Sequence, residues 1–169
     1  MTPRLFLLCF LLSLVLFPGC GGGKKPAGFP DLIRPVAVKV HKDGQPISGV
    51  TVILHTKDPA AGFRFTGLQT SGKTGADGVA TLETSHSSYT ASGVPAGTYR
   101  VQLVETLNID IRELSLEASG AEVAAWRKEY DEKAEKLRSV PKTLNSTDNS
   151  PLEMDINTSG TIEFDVAKY

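Results

Sequence analysis

Two linked runs decide the fold: Gly72-Lys73-Thr74-Gly75-Ala76-Asp77-Gly78-Val79-Ala80-Thr81-Leu82 and Gly93-Val94-Pro95-Ala96-Gly97-Thr98-Tyr99-Arg100-Val101. An Asp-Gly turn opens a short alternating strand, and a Pro-Ala-Gly corner opens a second with tyrosine near its start. Neither run pairs a nucleophile with a base, and neither gathers metal ligands. They read as the scaffold of a small β-sandwich.

Working outward, Val36-Ala37-Val38-Lys39-Val40-His41 alternates strictly, with Val36, Val38 and Val40 on one face. After the turn residues Lys42 to Pro46, Val50, Val52 and Leu54 repeat the pattern, so the two runs read as a first hairpin. Near the end, Leu152-Glu153-Met154-Asp155-Ile156 and Ile162-Glu163-Phe164-Asp165-Val166 alternate again. Joined through Asn157 to Gly160, they read as a second antiparallel hairpin, apolar residues in and acids out. The acids Glu153, Asp155, Glu163 and Asp165 are expected on one outer face, solubilising rather than binding calcium.

Between these lies one helix. Ser119 stands as N-cap with Glu122 three positions on, a capping box, and Val123, Trp126, Tyr130, Ala134 and Leu137 recur every three or four residues. The helix is expected over about 119–139, ending before Pro141, with its stripe packed on the sheet. The preceding strand is expected to run on from Tyr99, Val101 and Leu103 toward Ile111.

Composition narrows the function classes. The chain has 169 residues, with 18 Lys plus Arg against 19 Asp plus Glu, so no basic surplus advertises nucleic acid. With 16 Gly and 10 Pro, turns are frequent, as a many-stranded domain requires. The two cysteines, Cys9 and Cys20, both precede the domain, which therefore has no thiol chemistry and no disulfide.

Three motifs in order carry a resemblance. Asp43-Gly44-Gln45-Pro46-Ile47-Ser48-Gly49-Val50-Thr51-Val52 resembles the opening of carboxypeptidase-regulatory-like domains. Gly75 to Leu82 and Pro95 to Val101 resemble that family's later Asp-Gly and Pro-x-Gly-x-Tyr segments, with Ala80 where the family has an aromatic. The resemblance spans about residues 35 to 104 and implies an all-β, transthyretin-like (prealbumin-type) antiparallel sandwich of about seven strands, here with one helical insertion.

The N-terminus carries a second resemblance. Arg4 and an apolar run from Leu5 to Phe17, too short to span a bilayer, end in Phe17-Pro18-Gly19-Cys20. This is similar to a bacterial lipoprotein signal, although Phe17 and Pro18 depart from the usual residues. The resemblance implies cleavage between Gly19 and Cys20, acylation of Cys20, and, from Gly21 after the cysteine, sorting to the outer membrane. Residues 1–19 are then the signal peptide, 20–34 a flexible Gly/Pro tether, and 35–169 the domain. The set as a whole resembles the small secreted lipoproteins of planctomycete-type bacteria.

Several sharper chemistries are set aside. Gly67-Leu68-Gln69-Thr70-Ser71-Gly72-Lys73-Thr74 matches the phosphate-loop pattern, yet Gly75 to Gly78 follows where a helix must begin. His41, His55 and His86 do not share ligand spacing. Phe63 and Phe65 fall on one face of a short strand and read as core. Ser85 to Ser88 around His86 reads as a loop without an orienting third group. Lys39, Asp165 and Glu105 stand where a pilin-type isopeptide bond would need them, but Lys39 and Asp165 have outer-face parity, where nothing excludes water as that reaction requires. The chain does not end in the Tyr-Arg-Gly-Ser of hydroxyisourate-hydrolysing relatives.

The sequence thus points to a lipid-anchored envelope protein acting as a non-catalytic binding or structural module. It is expected to need no cofactor or metal and to bind no nucleotide or nucleic acid. Its partners are the membrane, through the lipid, and an unspecified envelope protein or glycan. An enzyme with a site in the Thr56–Phe65 or Ser85–Ser92 loops, and a carbohydrate-binding module, are the alternatives.

Overall fold

The computed structural model describes residues 24–59 and 67–169. The signal segment, Gly19, Cys20 and the expected short strand at Phe63 and Phe65 lie outside the described residues. In chain order the elements are β1 (Ile33–Arg34), β2 (Val36–Lys42), β3 (Gln45–Pro46), β4 (Val50–Pro59), β5 (Gln69–Lys73), β6 (Val79–Thr81), β7 (Glu83–His86), β8 (Tyr89–Ser92), β9 (Val94–Pro95), β10 (Gly97–Glu105), α1 (Gly120–Leu137), β11 (Glu153–Ile156) and β12 (Gly160–Asp165). The expected seven strands become twelve shorter segments among the described residues, because the chain between Gly78 and Gly97 breaks repeatedly as it crosses from one sheet to the other.

One sheet has the order β11-β10-β4-β5-β7-β8, and its pairings are antiparallel. The other centres on β2, flanked by β12 on one side and by β3 and β6 on the other. The β2–β12 pair is parallel, from Gly160 opposite Val36 to Asp165 opposite His41. This is the exception to an otherwise antiparallel architecture. Val36, Val38 and Val40 from the second sheet and Val50, Val52, Leu54, Tyr99, Val101 and Leu103 from the first form one buried cluster. Each such side chain contributes about 1.5–3 kcal/mol on burial, so the core is sufficient without a disulfide.

Both expected hairpins are corrected. β2 and β4 belong to different sheets, and β4 pairs with β10 and β5. β11 pairs with β10 across one sheet while β12 pairs with β2 in the other. Alternation reports that one face of a strand is buried, and a strand in either sheet of a sandwich satisfies it equally. It carries no information about which neighbour supplies the hydrogen bonds.

The helix forms with the anticipated cap. Ser119 Oγ accepts from the Glu122 amide and Glu122 Oε2 accepts from the Ser119 amide at 2.8 Å. Its packing is corrected: among its residues only Ala134 is buried, and Leu137 is 54% exposed. β10 also stops at Glu105 rather than running on toward Ile111. The chain after it lies beside the helix, where Trp126 Nε1 donates to the Arg112 carbonyl at 2.8 Å and Lys133 Nζ to that of Asp110 at 2.8 Å. Helix and strap make an arm fastened to the sandwich by Glu105, whose Oε2 accepts from the Ser139 and Val140 amides. Val140 and Leu144 then plunge into the core.

The ordered structure reaches back beyond the expected start at residue 35. Phe29 is 4% exposed and packs edge-on against Tyr89, and β1 pairs with β9. The C-terminal half of the 20–34 segment is therefore part of the domain.

A candidate binding face on the six-stranded sheet

Because Tyr99, Val101 and Leu103 point inward, Arg100 and Gln102 must emerge on the outer face of β10. Register sets Arg100 opposite His55 of β4 and Gln102 opposite Ile53. Gln102 Nε2 donates to the Asn145 carbonyl at 2.9 Å, which fixes the amide so that Oε1 faces the Thr147 hydroxyl at 3.3 Å and His55 Nε2 at 2.9 Å. An amide oxygen only accepts, so His55 Nε2 carries a proton in that bond. In the neutral ring Nδ1 is then the acceptor.

Beside this network, Arg100 and Lys57 are both engaged. Arg100 donates to the carbonyls of Thr147 at 3.2 Å and Asp148 at 3.1 Å. Lys57 Nζ holds Glu153 Oε1 at 2.6 Å, and this hydrogen bond, together with the lysine's charge and that of Arg100, lowers the Glu153 pKa. Beside His55 opens a shallow cleft of about 410 Å³, lined by Thr51, Ile53, His55, Leu68, Gln69 and Ser71 among others, with no charged side chain. Two larger concavities, about 520 Å³ along the exposed face of α1 and about 490 Å³ beside the Asp43 turn, are more open to solvent. The arrangement offers an oriented acceptor, hydroxyls and an aliphatic floor. Such a set can hold an uncharged group.

The residues of the phosphate-loop pattern are structural. Gln69 to Lys73 is strand β5, and a Cβ on Gly72 would lie 2.4 Å from the Thr81 carbonyl, so glycine is required where β5 passes the chain between the sheets. Thr74 is buried, its hydroxyl accepting from the Val50 amide at 2.9 Å. A turn at Asp77-Gly78 follows, with Asp77 Oδ1 accepting from Val79 at 3.0 Å.

The histidines do not converge. His41 lies on the outer face of the other sheet, its ring nitrogens 3.9 Å from Glu163 and 3.8 Å from Asp165. His86 ends β7, and Ser85 to Ser92 is a strand–turn–strand rather than an open loop. The Thr56–Phe65 candidate loop falls partly outside the described residues. Lys39 pairs with Glu163 at 3.2 Å on the wet face, while Glu105 sits in the opposite sheet holding the arm, so no isopeptide constellation forms. The four acids divide likewise: Glu153 and Asp155 on one outer face, Glu163 and Asp165 on the other. Among the described residues no group of three or more His, Cys, Asp or Glu could hold a metal ion, and no helix is long and apolar enough to cross a membrane.

Gln102 and Arg100 were not singled out in the sequence. Their outward parity was readable there; their neighbours, supplied by the segment 145–148, were not. Compared with protein-family models, with curated proteins and with solved structures, the chain finds no match.

Proposed function

We propose that the protein is a lipid-anchored, non-catalytic binding or structural module of the cell envelope, defined by what its outer sheet face meets. The observation that carries this reading is the His55–Gln102–Asn145 network: a built polar relay that ends at a shallow, uncharged cleft. Preorganised acceptors beside an aliphatic floor are what a binding surface needs. The Gly19-Cys20 signal and the glycines after it support the anchor and, read as an export signal, support a location outside the cytoplasm.

We infer further that the sandwich is of the transthyretin-like type and that the chain is a bacterial lipoprotein with a carboxypeptidase-regulatory-like domain. The segments Asp43–Val52, Gly75–Leu82 and Pro95–Val101, in that order, support this. Crosslinking on intact cells followed by affinity capture tests the binding role: a reproducible partner lost in His55→Phe supports it, and hydrolytic turnover lost in that variant overturns it. Mass spectrometry of the mature N-terminus tests the anchor, with an acylated Cys20 as the expected result.

A further inference from the structure

The segment linking Cys20 to the sandwich is effectively shorter than its composition implies, because Phe29 already belongs to the fold. Its ring meets Tyr89 of β8 at 4.7 Å, and its amide donates to the Pro26 carbonyl at 3.1 Å. That bond folds Pro26 to Phe29 into a turn spanning less than about 7 Å. β1 follows directly, Ile33 opposite Pro95 and Arg34 opposite Val94. From Cys20 to Pro26 the chain reaches at most about 21 Å at about 3.5 Å per residue. With the turn, the largest distance from Cys20 to Phe29 is about 28 Å. A flexible chain of the same free length averages only about 13 Å.

Phe29 enters at one end of the sandwich. Register puts Pro59, Gly97 and Ile156 level with one another, and Gln69, His86 and Tyr89 carry that end across β5, β7 and β8. The Gly160 amide donates to the Pro35 carbonyl at 3.2 Å, bringing the starts of β2 and β12 to the same end. The Asp43 turn, the Asp77-Gly78 turn and Glu105, with the base of the arm, lie at the other. The nine residues of β10 separate the ends by eight steps, about 27 Å.

We propose that acylation of Cys20 seats the β1 end of the sandwich on the lipid surface and holds the opposite end, where the α1 arm is fastened, away from the bilayer. This rests on the lipoprotein reading above. An inverted pose would lift Phe29 about 27 Å from the surface, which demands a tether stretched almost to its limit and about twice its relaxed span. Leu32, 61% exposed, sits at the β1 end, where a lipid surface would receive an apolar side chain.

The test uses the full chain, expressed and purified from membranes as the lipoprotein. Ser159→Cys marks the β1 end and Ala76→Cys the far end, both exposed positions in turns. Once the leader carrying Cys9 is removed and Cys20 is acylated, each introduced thiol is the only one left to label. The protein is reconstituted into phosphatidylcholine vesicles carrying a headgroup energy-transfer acceptor. The label at 159 is expected to read about 27 Å nearer the surface than the label at 76. Equal distances, or a nearer label at 76, overturn the orientation while leaving the anchor intact. A protein that does not float with the vesicles, or an unmodified Cys20 by mass spectrometry, overturns the anchor and the orientation with it.

Discussion

Tyr99 shows how one side chain can serve the core and a corner together. Its ring is buried between the sheets and its hydroxyl donates to the Pro95 carbonyl at 2.9 Å, closing the bend that leads into β10. Burial raises its pKa to about 12. The sign follows: the unfolded phenol ionises from about pH 10, so stability is full below that and is lost as pH rises toward about 12. Tyr99→Phe is expected to cost about 1 kcal/mol in urea unfolding at neutral pH. The same change should remove the latest-titrating phenol from an ultraviolet pH titration. A second internal bond chain is fixed by donor counting. Thr84 Oγ1 spends its proton on the Gly93 carbonyl at 2.7 Å, so Thr70 Oγ1 donates to Thr84 at 3.0 Å. Thr84→Val keeps the shape, strands the Gly93 carbonyl, and is expected to destabilise the fold by about 1–3 kcal/mol, measured by the urea midpoint.

At the scale of elements, the arm and β5 make opposite demands. The arm is marginal: its apolar stripe is half-covered by the strap, and its capping box and its attachment at Glu105 hold it in place. Ser119→Ala is expected to weaken α1 by about 1 kcal/mol, seen as faster amide exchange within Gly120–Leu137 while the sheets stay protected. Glu105→Ala frees the Ser139 and Val140 amides, and limited proteolysis should then cut the arm before the sandwich. β5 tolerates no such loosening. Gly72→Ala drives a Cβ to 2.4 Å from the Thr81 carbonyl, and the expected loss is about 1–3 kcal/mol of global stability. The helix was readable from its sequence because capping and a period of 3.6 are local properties. Its failure to pack on the sheet was not, since a stripe specifies a face and not the surface that covers it.

For the whole molecule, acid is the informative perturbation. Glu122 is held low by the Ser119 backbone and hydroxyl bonds, and Glu153 by the Lys57 hydrogen bond and charge. At Asp165 burial acts to raise the pKa, but amide bonds from Ala167 and Asp43 and the nearby His41 outweigh it, and the net shift is downward. Carboxylates with lowered folded pKa values stabilise the fold above the unfolded value of about 4 and lose that contribution as pH falls through the folded values. Unfolding midpoints should therefore drop below about pH 4, and less so in Asp165→Asn. By itself the sequence determined that the described residues are mostly strand with a capped helix at Gly120–Leu137, which faces of Val36–Val40, Val50–Leu54 and Tyr99–Leu103 are buried, and that Gly67–Thr74 is no phosphate loop. Those are consequences of side-chain period and turn chemistry, which act over a few residues. Only the tertiary structure decided that β2 and β12 run parallel, that neither expected hairpin pairs with itself, that the acids face opposite ways, and that His55 meets Gln102 and Asn145. Each of these depends on residues brought together from distant parts of the chain, where the hydrogen-bonding partner is chosen by how two sheets close around a common core.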